Sequence, residues 1–100
     1  MQKIKLLADK IKDEVCDAKD YAEKYVEEKV SGNSTAATKY KEMASDELKH
    51  AGYLHEMAVS EINKIKSSGI QYPQSMEEKW QAVHAEYVEK AAWVKQILTL

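Results

Sequence analysis

The chain has no phenylalanine, one cysteine, one proline and three glycines. Without Phe, any core must rest on Ala, Leu, Ile, Val, Met and Tyr. Cys16 has no second cysteine to pair with, so no internal disulfide forms, and a reducing compartment, the cytoplasm, is the expected location. So little Gly and Pro argues against a loop-rich fold. No apolar run approaches the roughly 18 residues that a membrane span needs. The opening Met1–Leu7 stretch is broken by Lys3 and Lys5 and followed by Asp9, which is not a signal-peptide pattern. Neither sign of charge dominates: 15 basic and 17 acidic residues are interspersed, for a net charge of −2. There is no basic block of the kind a nucleic-acid surface presents. Neither membrane nor nucleic acid is therefore an expected partner.

What is present is helix-forming material. The 100 residues are 44% hydrophobic and 32% charged, one domain's worth of chain, and Ala, Glu, Lys, Leu and Val fill most positions, as in long helices. Two breaks divide them. In Ser31-Gly32-Asn33-Ser34, Gly32 suits a helix C-terminal cap, and Asn33 or Ser34 can cap the helix that follows. The second break, residues 67–75, holds Gly69, a further C-terminal cap, and Pro73. Ser75-Met76-Glu77-Glu78 reads as a capping box with Ser75 as N-cap. The expectation is an all-α single domain over 1–100, with helices at about 3–30, 35–67 and 75–99. The first two are long enough to suggest a bundle, and short connections make sequence neighbours antiparallel.

Each helix carries an apolar stripe. The first has Ile4, Leu7, Ile11, Ala18, Tyr21 and Tyr25, interrupted at 14 by Glu14. The second has Tyr40, Met43, Leu54 and Met57, interrupted by Glu47 and His50. Beside it runs a line of Ala44, Ala51 and Ala58, small residues that let a partner helix approach closely. The third has Met76, Trp80, Val83, Tyr87, Ala91, Val94 and Leu98.

The interruptions carry the chemistry. A carboxylate on an apolar stripe is costly unless it is paired or binds a metal. Glu47 and His50 are three residues apart and share a helix face. In an antiparallel hairpin, the midpoints between Glu14 and either residue fall at the 31–34 turn, so Glu14 lies level with the Glu47–His50 turn. Two carboxylates and an imidazole suit iron, manganese or zinc. Carboxylate di-iron bundles take a Glu from each of two helices and Glu-x-x-His from each of the other two. This chain supplies half of that set, and a symmetric homodimer would supply the rest.

The segment Glu14–Ala22, with an aromatic Tyr21 seven residues after its Glu, resembles the first metal-binding helix of rubrerythrin-type ferritin-like proteins. Ala44–Ala51, with its Glu-x-x-His-Ala, resembles the second. The resemblance covers roughly residues 8–66. It implies Glu14 as a terminal ligand, Glu47 as a bridge between two metals, and His50 as a ligand to one. It also implies ferrous oxidation by oxygen or peroxide. A single hairpin with one ligand set is similar to the encapsulated ferritins, whose site forms between subunits. The second ligand-bearing hairpin of a complete ferritin and the Cys-x-x-Cys pairs of a rubredoxin domain are absent, and the third helix has no counterpart.

Other residues are read beside these. Asp17, one turn after Glu14, is a further ligand, an acceptor for His50, or a solvated acid. Tyr21 is a core residue or places a hydroxyl near the metal. His84 lies on the third stripe. Pairing helices two and three about residue 71 sets it level with residue 58, roughly 12 Å from the His50 level, so it is a doubtful ligand to the same site. His55 points about 140° away from His50 and reads as surface or second-site. Cys16 faces away from Glu14 and reads as a small hydrophobe. Trp80 and Trp93 read as core or interface anchors. The competing functional reading is a non-catalytic helical interaction module, in which Glu14 accepts a hydrogen bond from His50 without metal.

Overall fold

A computed structural model describes all 100 residues. It is all-helical, with α1 at Gln2–Val30, α2 at Ser34–Ser67 and α3 at Gln74–Ile97, so each helix falls close to its expected span. The molecule is a rod of 57 × 18 × 17 Å, its length set by α2, whose 34 residues rise about 50 Å. No helix is long and apolar enough to cross a membrane.

The first turn follows its local chemistry. Gly32 has φ of 83°, the left-handed conformation that glycine adopts without a Cβ penalty. The Gly32 amide donates to the Lys29 carbonyl at 3.1 Å, and the Asn33 amide to the Glu28 carbonyl at 2.9 Å. These are the two bonds of a Schellman cap. Asn33 then caps α2, its side chain accepting from the Ala36 amide at 3.2 Å. Gly69, with φ of 82°, follows the C-terminus of α2.

The capping box expected at Ser75 does not form. α3 starts at Gln74 with Pro73 in the N-cap position and no side-chain cap. The Pro73 carbonyl accepts from the amides of both Met76 and Glu77, at 3.1 Å each. Extended backbone at Pro73 (φ −62°, ψ 141°) launches the helix early enough to place Ser75 inside its first turn.

The hairpin closes on small residues. Ala37, Ala44, Ala51 and Ala58 of α2 are buried, as are Tyr25, Ala18, Ile11 and Ile4 of α1. Both series step by seven residues, and the antiparallel hairpin sets them level with one another. The alanine line is thus the seam itself. The stripe expected beside it is not buried as anticipated: Met43 and Met57 are 40% and 49% exposed. The reason lies in where α3 goes. It runs alongside α1 and touches α2 at few points. Lys79 pairs with Asp9 at 2.8 Å, and Lys19 sits over the Trp93 ring at 5.6 Å, so α1 and α3 run parallel. A second line on α1, Ala8, Val15 and Ala22, is consequently buried as well. The Met43–Met57 edge of α2, on the far side, has no helix against it.

Two core clusters result. One joins Ile4, Leu7, Ala8 and Ile11 to Ala58, Ile62 and Trp80. The other joins Ala18, Ala22 and Tyr25 to Ala37, Ala44, Val94 and Leu98. Glu14 and Glu47 lie between the two levels.

Candidate metal centre

Glu14 follows Ile11 and precedes Ala18 on the α1 line, so the buried seam on either side fixes its height. Cys16, about 160° round the helix from Glu14, faces α3: its sulfur lies 3.4 Å from the Lys90 ammonium and 3.8 Å from a Glu86 carboxylate oxygen. Glu14 therefore opens on the side of the hairpin away from α3. Glu47 and His50 reach the same point from α2. One donor atom from each of Glu14, Glu47 and His50 lies within 4.8 Å of the others. His50 Nδ1 is 3.7 Å from Glu14 Oε2 and 3.9 Å from Glu47 Oε1. The carboxylates are well covered, at 13% and 21% side-chain exposure, whereas His50 is 55% exposed.

The electrostatics follow from crowding two carboxyl groups. Glu47 is pushed up to about 7, through its hydrogen bond with Glu14, then burial, then the Glu14 charge; the more distant Asp17 charge adds to this and His50 opposes it. Glu14 is held below the usual carboxylate range, first by the hydrogen bond from Glu47, with help from Lys10 and His50. The pair thus keeps one proton between them to near neutrality. Lys10 Nζ stands 3.6 Å from Glu14 Oε1, a counter-ion that the stripe pattern did not reveal. The donor set fits a divalent first-row ion: two acidic oxygens, one imidazole nitrogen, and an exposed side where further ligands can enter. A cation there would displace the shared proton, because coordination requires the deprotonated carboxylate.

The other candidates fall outside this group. Asp17 is exposed and acts on Glu47 only through its charge. Tyr21 is half-buried and stacks on Tyr40, with ring centroids 6.3 Å apart. His84 is not in the cluster. Its Nδ1 lies 2.8 Å from His55 Nε2, so α3 pairs with α2 at residue 55 rather than 58, close to one helical turn from the expected register. The Tyr87 hydroxyl of α3 lies 3.7 Å from where a Cβ at Gly52 would stand, in the same register. Trp80 is buried in the core as expected, while Trp93 is partly exposed. Comparison with protein families, curated proteins and solved structures finds no match for this chain.

Proposed function

We propose that this chain is a ferritin-like metal-binding protein. In this reading Glu14, Glu47 and His50 form half of a di-iron centre that a second copy of the chain completes. The observation that carries it is the convergence of the three donor groups, within 4.8 Å, from two separate helices. The uncovered edge of α2 supports the dimer. Met43 and Met57 flank Glu47 and His50 on the face away from α3, and exposed apolar side chains beside half-buried carboxylates suit an isologous contact. Across a two-fold axis, each Glu47 would stand between the two metal positions, and each Glu14 and His50 would hold one. Ferrous ion is the substrate class, and oxidation by oxygen or peroxide is the activity the ferritin resemblance implies. Manganese and zinc fit the same donors without that activity. A cytoplasmic setting accords with the lone cysteine.

The test is elemental analysis after anaerobic iron loading, on the native chain and on Glu47→Ala. About one iron per chain, lost in the variant, is the expected result, with oxygen uptake by the loaded native protein. No iron in either overturns the reading.

A second reading, a helical interaction module without metal, draws on Lys10 and the shared proton, which together satisfy Glu14 within the chain. It predicts that Glu14→Gln and His50→Gln leave assembly intact and that ferrous or zinc ions give no thermal stabilisation.

A further inference from the structure

His55 and His84 bring a second set of ligating atoms together, away from the carboxylate centre. His55 Nε2 and His84 Nδ1 face each other at 2.8 Å. Aromatic neighbours hold both rings: Tyr87 stacks on His55 with centroids 4.9 Å apart, and Trp80 lies 5.2 Å from His55 and 6.0 Å from His84. Both histidines are half-buried, so water can reach the pair from one side.

A hydrogen-bonded pair is the plainer account of the contact, and it leaves one imidazole lone pair directed at a single shared proton. Burial and the neighbouring His84 depress the basicity of His55, while Glu56 opposes them, so His55 is available as a neutral ligand. Two imidazole nitrogens this close can serve adjacent corners of one late first-row ion with bonds of about 2.0 Å, once each lone pair turns from the other nitrogen toward the ion. Each ring need only swivel about its soft terminal torsion to aim at a common point.

We propose that His55 and His84 form a second metal site, one that takes a tetragonal late first-row ion, Cu(II) above Ni(II) and Zn(II), with water at the remaining corners. The order follows the intrinsic affinities of divalent ions for nitrogen ligands. Because α3 touches α2 at few points, the bound ion would act as a clamp between them. The site is independent of the iron reading.

The test uses the full chain carrying Cys16→Ser, His50→Gln and Trp93→Phe. These changes remove the thiol that would reduce Cu(II), the imidazole of the other centre, and the second tryptophan. Titration with Cu(II) should quench Trp80 fluorescence with a saturation point of one ion per chain. Electron paramagnetic resonance should show two equivalent-type nitrogen couplings. Adding His55→Gln or His84→Gln should weaken binding at least tenfold, in the range seen when a ligand or its support is lost. Saturable quenching unaltered by either substitution, or no saturable quenching, overturns the proposal. Should both added variants unfold by circular dichroism, the nitrogen count in the parent decides: two supports the site, one or none refutes it.

Discussion

Replacing Glu47 with Gln tests the electrostatics of the centre in the metal-free protein. Because its folded-state value is raised, Glu47 contributes stability that is fully present below its unfolded value of 4.5 and is lost as pH rises through about 7. Glu14, shifted the other way, contributes above 4.5 and loses that contribution only as pH falls below it. The window from pH 5 to 8 therefore belongs to Glu47. At 1.36 kcal/mol per pH unit, a rise from 4.5 to about 7 sets the cost of ionising it at no more than about 3 kcal/mol. Water reaches the site through the exposed His50, and Glu47 itself is 21% exposed, which reduces this to about 1–2 kcal/mol. The amide of Glu47→Gln keeps the shape and a donor for Glu14 but cannot ionise. Thermal unfolding followed by far-ultraviolet circular dichroism, with a chelator present, should show the variant about 5–10 °C more stable than the native chain at pH 8. The two should nearly coincide at pH 5. If the centre takes a divalent ion as proposed, adding zinc or ferrous ion should reverse the order at pH 8. Equal melting temperatures at pH 8, with the same pH slope in both chains, would refute the shared proton.

Three further outcomes rest on packing and backbone. Ala51→Leu inserts a branched side chain into the fully buried hairpin seam and should destabilise by about 1–3 kcal/mol in urea titration, as overpacked cores do. Gly32→Ala places a Cβ at φ of 83° and should cost about 1 kcal/mol. Gly52→Ala meets only an ordinary contact with Tyr87 and should instead stabilise by about 0.5–1 kcal/mol. If the dimer forms through the open edge of α2, Met57→Glu should weaken it at least tenfold in sedimentation equilibrium, because two like charges would meet across the axis.

Much of this arrangement is legible in the sequence. Gly32 and Gly69 end their helices where their conformational freedom predicts, and Asn33 caps α2. Glu14, Glu47 and His50 meet because hairpin register depends only on the length of a short turn, which the sequence displays. The stripe readings that failed needed knowledge of α3. The stripe rule treats each helix as having one partner, but α1 has two. Its buried residues therefore include Ala8, Val15 and Ala22 as well as Ile4, Leu7, Ile11, Ala18 and Tyr25 of the anticipated series. On α2 the converse holds: with one close partner, the narrow alanine line suffices for the seam and the larger Met43 and Met57 remain at the edge. Ser75 failed as a cap for a local reason, since Pro73 already presents its carbonyl to the first amides of α3.

The position of α3 also bears on why the polar centre lies where it does. Two seven-residue core clusters sit on either side of it along the rod, and both are tied to α3, one through Trp80 and the other through Val94 and Leu98. These clusters hold α1 and α2 in register above and below the level of Glu14, so the carboxylates need not stabilise the hairpin themselves. Between them, Val15 and Ala51 are fully buried, and close the seam behind the acidic pair. The cost of crowding Glu14 against Glu47 is therefore borne by packing elsewhere. By lying against the opposite side of α1, α3 leaves His50 and its flanking methionines uncovered. Had α3 packed on the α2 edge, it would have covered Glu47 and His50 as well.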